Sequence, residues 1–432
     1  MGELADSGML ARLAGSLQFG INPSLDGIRA LTKALGDPQR SFRSVQVTGT
    51  NGKTSVARMA GAIIGGQGVR SAVYTSPHLN SYTERLEIGG APVSEAELTD
   101  GLRVAFEAAD AIARDFTEFE ILTAAAFHLM RERGVECAVL EVGMGGRWDA
   151  TSVVEPRVSV ITGVALDHTE RLGSTREEIA ADKAHIIKTG SLAVLGPGCA
   201  GVEDIFIERA RRVGVPVTRV SQDGGDQTWR IVRRPHRPNG LLVIDVMGVR
   251  ELRDLRMHVP TYQAPNIATA VTAAGTALWS LLDIPSVRKS LRSLRLPGRF
   301  ETLRIDPPLV IDGAHNPDAA SVLAGAIAEA FERAYPTIVL GVLADKDVAG
   351  IVRALAPVAG GFVATQNASP RCLPAARLAE IVHGVTGTMP IAETDLAAAI
   401  KIASEGGRAA VVTGSLYTAG AARALFVPVA SA

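Results

Sequence analysis

The sequence predicts an α/β fold built on mostly parallel β-sheets. Short apolar runs rich in β-branched residues alternate with alanine-rich stretches of helical periodicity, which is the pattern of parallel α/β architecture. Polar residues or glycines stand where many of these runs end, at the edge where such sheets bind ligands. The predicted strands are residues 44–49, 71–76, 137–143, 158–165, 192–197, 308–313, 337–343, 361–365 and 409–415.

The stretches between the predicted strands have the apolar spacing of helices and often end at glycine. Helices are predicted at residues 55–66, 120–134 and 319–334, and a further one at 264–282. A helix between two strands returns the chain to the end of the sheet where it started, so the strands run parallel.

Residues 226–260 have a different composition, which predicts an antiparallel hairpin that turns at Pro238-Asn239-Gly240. We expect its basic cluster to form a solvated edge; the cluster is Arg230, Arg233, Arg234, His236 and Arg237. A second break, around Pro297-Gly298, predicts a hinge between domains. The predicted domains are residues 1–297 and residues 298–432.

Length and charge exclude several classes of protein. The 432 residues are 47% hydrophobic and can fill the cores of two or three domains. We therefore expect neither a disordered chain nor a fold that needs a structural metal ion for stability. The 44 basic and 45 acidic residues give a formal net charge of -1. This balance gives no general attraction to nucleic acid or to an anionic membrane. No apolar run approaches membrane-spanning length.

Cysteine use and the amino terminus predict a cytoplasmic protein. Cys137, Cys199 and Cys372 are far apart and have no CxxC spacing, which disfavours a zinc site or a disulfide framework. The first residues carry acidic side chains and no long apolar segment, so no signal peptide is expected. We expect a monomer.

The strongest local motif is the segment TGTNGKTS at residues 48–55, between a predicted strand and a predicted helix. Glycines let backbone N–H groups turn toward phosphate oxygens, Lys53 can reach the β and γ phosphates, and a following hydroxyl can hold Mg²⁺. Val47 stands where the strict GxxxxGK[ST] template requires glycine, so the loop is a shortened variant. An incidental glycine-rich turn is the alternative, but it does not explain the strand, the lysine and the two hydroxyls together.

Further polar groups follow other predicted strands. Ser76, Glu141 and His168 would meet at the same sheet edge, and a carboxylate inside an apolar strand needs a partner. With phosphate oxygens and Thr54 or Ser55, they predict an oxygen-rich Mg²⁺ site, with His168 available to a second ion. Each residue alone also has a purely structural explanation.

The second half of the chain places polar segments at three more strand ends: DGAHNP at 312–317, DKD at 345–347 and GSLY at 414–417. They predict a second binding surface that faces the first domain. Lys183, taken alone, has the pattern of an ordinary lysine on a helix surface.

Taken in order, the motifs resemble the folylpolyglutamate synthase and dihydrofolate synthase family, a branch of the ATP-dependent Mur ligases. The resemblance covers nearly the whole chain. It rests on the segments GIRALTKALGDPQRSFRSVQVTGTNGKTS, TSPHLNSYTERLEIGGAPVS, FEILTAAAFHLM, LEVGMGGRWDAT, LDHTERLGSTREEIAADKAHIIKTG, YQAPNIATA, LPGRFE, DGAHNP and TGSLYTAG.

The resemblance implies a P-loop Mur-ligase-type ATPase domain, a smaller Rossmann-like carboxyl-terminal domain and an active site between them. It implies catalytic roles for Lys53, His168 and Lys183. The implied ATP-binding residues are Gly49, Thr50, Asn51, Gly52, Lys53, Thr54, Ser55, Asn266, Arg299, Asp312 and His315. The implied metal ligands are Ser55, Ser76, Glu141, His168 and a carbamylated Lys183. The implied substrate contacts are Thr117, Phe119 and Trp148 for a pterin, and Ser415, which like His315 matches a position associated with ATP or glutamate.

The implied reaction is the ATP-dependent addition of L-glutamate to dihydropteroate, to tetrahydrofolate and its polyglutamates, or to both, through an acyl phosphate. The implied cofactors are ATP and two Mg²⁺ ions, and a requirement for a monovalent cation is left open. Two alternatives are a Mur-type ligase for a non-folate carboxylate and an inactive nucleotide-binding homologue.

Three departures from the family pattern bear on these roles. The loop has GKTS where the family usually has GKGS, which makes Thr54 an alternative to Ser55. The family EKAGI segment is Asp182-Lys183-Ala184-His185-Ile186, and Ser24-Leu25-Asp26 stands where the family tends to have Gly-Leu.

Overall fold

The computed structural model describes residues 2–16, 23–112, 114–248, 251–279, 282–332 and 334–427. The strands are β1 Arg43–Thr48, β2 Ser71–Tyr74, β3 Leu86–Ile88, β4 Ala91–Pro92, β5 Cys137–Glu141, β6 Val158–Gly163, β7 Leu192–Gly198, β8 Val217–Arg219, β9 Gln227–Arg233, β10 Leu242–Gly248, β11 Leu252–Met257, β12 Glu301–Arg304, β13 Leu309–Ile311, β14 Thr337–Leu340, β15 Gly361–Ala364, β16 Ile391–Ala392 and β17 Ala410–Thr413.

The helices pack on both faces of the sheets. They are α1 Gly2–Gly15, α2 Asp26–Ala34, α3 Lys53–Gly66, α4 Glu95–Ile112, α5 Glu118–Glu132, α6 Thr169–Leu172, α7 Arg176–Lys183, α8 Glu203–Val213, α9 Ala264–Leu278, α10 Ile284–Ser293, α11 Pro317–Phe331, α12 Val348–Leu355, α13 Ala375–Thr386, α14 Leu396–Ala403 and α15 Leu416–Ala424. Within the described ranges no helix is both long and apolar enough to cross a membrane.

The first sheet has eight strands in the order β4-β3-β2-β5-β1-β6-β7-β8. All neighbouring pairs are parallel except those that β3 and β4 make at one edge. Strand β1 lies between β5 and β6, with Val47 opposite Glu141 and Thr48 opposite Ile161. The carboxyl ends of these three strands therefore meet at one place on the sheet edge.

Helix α3 is covered by α9, which follows it by about 200 residues. Met59 and Ile63 of α3 are fully buried together with Ile267 and Val271 of α9, in a core that also includes Val139 of β5. Helices α4 and α5 cover the other face of the sheet. The predicted mostly parallel α/β domain is confirmed.

The segment at 226–260 forms a three-stranded antiparallel sheet in the order β11-β10-β9. The predicted hairpin and its turn are confirmed, but the sequence pattern missed the third strand, β11. The basic edge is largely exposed. There, Arg230 donates to Asp245 at 2.7 Å, and Arg234 pairs with Glu329 of α11 at 3.3 Å.

The second large sheet has the order β12-β13-β17-β14-β15-β16. Strand β12 is antiparallel to β13 and the other pairs are parallel, with helices on both faces. This confirms the smaller Rossmann-like domain. The predicted boundary at residue 297 falls between α10 and β12 and stays a prediction.

Strands β6 and β7 approach so closely at Gly163 that no side chain fits there. A Cβ on Gly163 would lie 2.7 Å from the Cα of Gly198, and a strand backbone cannot rotate away as a side chain can. We expect Gly163→Ala to lower the free energy of unfolding by about 1–3 kcal/mol, measured by denaturant unfolding. The control is Gly325→Ala on the exposed face of α11, where a Cβ meets nothing within 4 Å. Equal stability of the two variants would contradict the prediction.

Candidate active site

The predicted phosphate loop joins β1 to α3, which begins at Lys53. Gly49 and Gly52 have φ angles of 152° and 83°, which residues with a side chain rarely adopt. A Cβ on Gly49 would also overlap the Thr162 hydroxyl. The glycines therefore allow a tight turn into the amino end of α3, where free N–H groups and the helix dipole attract phosphate.

Two amines, the half-buried one of Lys53 and the buried one of Lys183, meet at one backbone carbonyl of this loop. Lys53 Nζ donates to the oxygens of Gly49 and Thr50 at 3.1 Å each, and Lys183 Nζ donates to the Gly49 oxygen, also at 3.1 Å. Lys183 is 3% exposed, so its interpretation as a helix-surface lysine is wrong. Burial and then the charge of Lys53 lower the pKa of Lys183 to about 7. Burial also lowers the pKa of Lys53, against the opposing charge of Glu141.

Glu141 lies at the carboxyl end of β5 and is 1% exposed. Its Oε1 accepts from the Thr54 hydroxyl at 2.9 Å and its Oε2 accepts from the Ser76 N–H at 3.3 Å. Arg299 of the second domain donates to the same Thr54 hydroxyl at 3.4 Å. Burial raises the pKa of Glu141, and Lys53 opposes that shift. This carboxylate therefore lies among the groups predicted to hold metal and phosphate.

The neighbouring Ser55 points in another direction. Its hydroxyl accepts from Gln263 Nε2 at 3.3 Å, and the Gln263 carbonyl accepts from Asn266 Nδ2 at 2.8 Å. Asn266 also lies against Gly52, since a Cβ there would be 2.8 Å from its Oδ1. The structure thus brings Asn266 to the phosphate loop. It places Thr54, the alternative to Ser55, beside Glu141, and the ligand role of Ser55 stays a prediction.

Asp312 anchors the start of the second domain at the interdomain cleft. It accepts from the N–H groups of Phe300 and Ala314, both at 2.8 Å, and from the Tyr262 hydroxyl at 3.2 Å. Burial raises its pKa, and the charge of Arg299 opposes this. These bonds fix the strand end that carries Arg299 next to the phosphate loop.

Asp167 receives three donors from the second domain. Its Oδ1 accepts from Lys346 Nζ at 3.0 Å, and its Oδ2 lies 3.4 Å from both His315 Nε2 and Asn316 Nδ2. Burial alone would raise the pKa of Asp167, but the hydrogen bond from His315 and the charges around it hold that pKa well below its usual range. Asn316 also donates to the Asn51 side chain at 3.4 Å. Asn316 therefore contacts the phosphate loop, while the ATP-binding role of His315 stays a prediction.

His168 follows Asp167 and begins α6 in a left-handed conformation, with a φ of 52°. The residue is exposed, but partial desolvation by neighbouring groups lowers its pKa, and the charge of Asp167 opposes this shift. A neutral imidazole is the form that binds metal. The role of His168 as a ligand stays a prediction.

Two of the predicted pterin contacts lie at the start of α5. The Thr117 hydroxyl accepts from the Glu120 N–H at 3.2 Å and donates to the Glu120 carboxylate at 3.0 Å, which caps the helix. Phe119 stacks on Tyr74 with ring centroids 6.0 Å apart and touches the position of Gly143. Phe119 therefore offers an aromatic surface near the end of β5, whereas the Thr117 side chain is already used in capping.

The other two predicted substrate contacts differ in exposure. Trp148 is 43% exposed, and the Arg147 guanidinium lies over its ring at 4.6 Å from the centroid. Ser415 is buried and caps α15 by accepting from the Thr418 N–H at 3.0 Å, and it also accepts from Asn367 Nδ2 at 3.3 Å. Trp148 is thus free to contact a ligand, while the Ser415 hydroxyl lies in an internal network.

The donor set at Glu141 fits Mg²⁺. Among the described residues no group of three or more His, Cys, Asp or Glu side chains could hold an ion unaided. Mg²⁺ in nucleotide sites is held by one or two carboxylates together with hydroxyl, water and phosphate oxygens. Glu141 with the Thr54 hydroxyl and the nearby Ser76 supplies that combination. The three cysteines are free thiols, as expected.

Comparison with known proteins agrees with this geometry. The model of the Mur ligase middle domain matches residues 47–274, and that of the Mur ligase glutamate ligase domain matches residues 298–416. The dihydrofolate synthase/folylpolyglutamate synthase of Mycobacterium tuberculosis is 36% identical, over 94% of this chain and 90% of that protein. This chain belongs to the dihydrofolate synthase/folylpolyglutamate synthase family. The predicted membership is confirmed.

Two solved structures of this family are also similar. Mycobacterium tuberculosis folylpolyglutamate synthase complexed with ADP has a TM-score of 0.90 and 36% identity, over 98% of this chain and 99% of that one. A bifunctional folylpolyglutamate synthase/dihydrofolate synthase with Mn, AMPPNP and L-glutamate bound has a TM-score of 0.83 and 29% identity, over 96% and 97%. The whole Mur ligase fold of the family is therefore present.

The structure also places at the site four residues to which the sequence assigned no individual role. They are Tyr262, Gln263, Asn316 and Lys346. Tyr262 and Gln263 are the first residues of the YQAPNIATA segment, and Asn316 and Lys346 lie in the DGAHNP and DKD segments that were predicted to face the first domain. Their place within these segments was the available signal.

Proposed function

We propose that this ATP-dependent acid–amino-acid ligase adds L-glutamate to a folate-type carboxylate: dihydropteroate, tetrahydrofolate and its polyglutamates, or both. The observation that carries the proposal is the hydrogen bond between Thr54 and the buried Glu141, because the same Thr54 hydroxyl joins the phosphate loop to Arg299 of the second domain. The names and bound ligands of the relatives support the choice of glutamate and folate.

Ligation needs ATP because a carboxylate is a poor electrophile and amide formation in water is uphill. In the proposed first step, a carboxylate oxygen of the substrate attacks the γ-phosphorus, ADP leaves, and an acyl phosphate forms. Lys53 and Arg299 lie at the loop and offset negative charge on the transferred phosphoryl group. Bound Mg²⁺, held by Glu141 with Thr54 or Ser55 and by Ser76, would supply further positive charge; His168 is the proposed ligand of a second ion.

In the proposed second step, the amine of glutamate attacks the acyl carbon, and phosphate leaves as the amide forms. The acyl phosphate must be kept from water until then. Contacts between the domains at Asp167 and at Arg299 join the two sides of the cleft beside the phosphate loop, and in the proposed mechanism closure of this cleft excludes water during the reaction. Lys183 is proposed to react as a neutral amine with CO₂ and to hold a carbamate at the metal site.

The test is phosphate release from ATP and Mg²⁺ with L-glutamate, with dihydropteroate and tetrahydrofolate offered in parallel and products identified by mass. Turnover of dihydropteroate alone indicates a dihydrofolate synthase, of tetrahydrofolate alone a folylpolyglutamate synthase, and of both a bifunctional enzyme. If folded protein that binds ATP released no phosphate with either substrate, the proposal would be contradicted and another carboxylate substrate would be favoured. A cytoplasmic, monomeric enzyme is part of the proposal, and size-exclusion chromatography tests the monomer.

A further inference from the structure

The contact at Asp167 differs from the other bonds between the two domains. All three side chains that donate to its carboxylate belong to strand ends of the second domain: His315 and Asn316 follow β13, and Lys346 follows β14. Asp167 itself follows β6 of the first sheet. The Asp167 carboxylate therefore binds two separate segments of the opposite domain, one after β13 and one after β14.

This ion pair is also well shielded. The side chains of Asp167 and Lys346 are 10% and 12% exposed, whereas Arg234 in the interdomain pair with Glu329 is 58% exposed. Exposed ion pairs contribute little, while removal of one partner from a shielded pair leaves an uncompensated charge. We therefore expect loss of the Asp167–Lys346 pair to disturb the arrangement of the two domains more than loss of the Arg234–Glu329 pair.

The contact also reaches the nucleotide loop. Asn316 donates both to Asp167 and to Asn51 of the phosphate loop, and it caps α11 by accepting from the Ala319 N–H at 2.8 Å. The orientation of the second domain at Asp167 thus sets the distance between the start of α11 and the phosphate loop.

A second fixed point lies on another part of the cleft. Asn80 donates to the Gly420 carbonyl at 2.7 Å, and the backbone of Leu79 leaves no room for a Cβ on Gly420. This contact contains no charged side chain. Of these two interdomain contacts, the one at Asp167 is therefore the charged one, and it is also the one that lies beside the phosphate loop.

We propose that Asp167 is a positioning residue that fastens the second domain in its closed orientation, by holding Lys346, His315 and Asn316 at the edge of the phosphate loop. Without this contact the domains open more often, water reaches the acyl phosphate, and glutamate meets an incompletely assembled site. Asp167 itself takes no part in phosphoryl transfer.

The test substitution is Asp167→Asn, which keeps the shape of the side chain and removes its charge. We expect kcat/KM for L-glutamate to fall about 10- to 100-fold, because small misplacements of reacting groups have effects of this size. We expect the Kd for ATP to change less than about threefold and the yield of amide per phosphate released to fall. Asp167→Glu should recover part of both losses. The matched control is Asp100→Asn on α4, which breaks the exposed pair with Arg103 and should leave all values unchanged.

The kinetic part rests on the proposed glutamate ligase activity, so a second measurement does not use it. Small-angle X-ray scattering of Asp167→Asn with ATP analogue and Mg²⁺ should give a larger radius of gyration than the parent protein. An unchanged radius together with an unchanged amide yield would overturn the proposal. A parallel loss of ATP affinity and unfolding stability, with an unchanged yield, would also overturn it by indicating a merely structural role. Failure of every folate substrate with a larger radius would instead contradict only the proposed function.

Discussion

Glu141→Gln is expected to reduce ATP-dependent ligation by about 100- to 1,000-fold, an effect typical of removing one charged group from a preorganised phosphoryl-transfer site. The glutamine keeps the shape of the side chain but has a single acceptor oxygen, so it can replace only one of the two bonds that Glu141 accepts from the Thr54 hydroxyl and the Ser76 N–H. It lacks the negative charge that the proposed Mg²⁺ ion requires. The measurement is phosphate release at increasing Mg²⁺ concentration, with Glu132→Gln on the exposed end of α5 as the control.

The same substitution should not unfold the protein. Burial raises the pKa of Glu141, so the charged form is disfavoured in the folded state and a neutral side chain relieves that cost. The free energy of unfolding of Glu141→Gln is therefore expected to equal or exceed that of the parent. If Glu141→Gln stayed active, the metal assignment would be contradicted. If it were inactive and also less stable than the parent, loss of the fold would explain the loss of activity.

Lys183→Met is expected to abolish most ligation and also to change how stability depends on pH. In CO₂-free buffer the folded protein releases the Lys183 proton near pH 7, whereas the unfolded chain keeps it to about pH 10.4. The unfolded state binds more protons between these values, so the parent gains stability as pH rises through this window. Between pH 7 and 9 the gain corresponds to about 2–3 kcal/mol, and Lys183→Met should lack it.

Denaturant unfolding of both proteins at pH 6, 7, 8 and 9 measures this difference, with Lys33→Met on the exposed side of α2 as the control. The methionine variant should be the more stable protein at pH 6, with the margin shrinking toward pH 9. Parallel curves for parent and variant would disprove the buried-amine interpretation. A carbamate signal in ¹³C NMR with labelled bicarbonate, absent from Lys183→Met, would separately support the carbamylated ligand.

Local patterns predicted the central strands of both large sheets and the helices α3, α5, α9 and α11, but not the short strands β3, β4, β8, β12 and β16 at the sheet edges. The predicted helices at 55–66, 120–134 and 319–334 each begin two residues later than α3, α5 and α11. The first turn of a helix carries polar residues or proline, which satisfy or tolerate its free N–H groups and do not show apolar periodicity. The missed strand β11 has charged residues at three of its six positions, Arg253, Asp254 and Arg256, so a search for apolar runs does not detect it.

The candidate site needed more than local pattern. Glu141 stood out because a charge interrupts an apolar strand. Lys183 did not, because its buried amine contacts the Gly49 carbonyl of the phosphate loop, 134 positions earlier in the chain. Likewise Asp167 and Lys346 are separated by 179 positions, so only the tertiary structure brings them together. The orientation of Thr54 and Ser55 around α3 depends on the same packing.

The cover that α9 places over α3 has a consequence for the order in which the chain folds during synthesis. Until residues 264–278 have left the ribosome, Met59 and Ile63 of α3 lack the partners that bury them in the finished protein. The same helix begins beside Gln263 and Asn266, so the nucleotide loop acquires its neighbours at that moment too. Contacts between such distant segments are slow to form, and the apolar surface exposed meanwhile favours aggregation of the nascent domain. Truncated chains that end before α9 are therefore expected to leave that apolar surface uncovered and to aggregate more readily than the full chain.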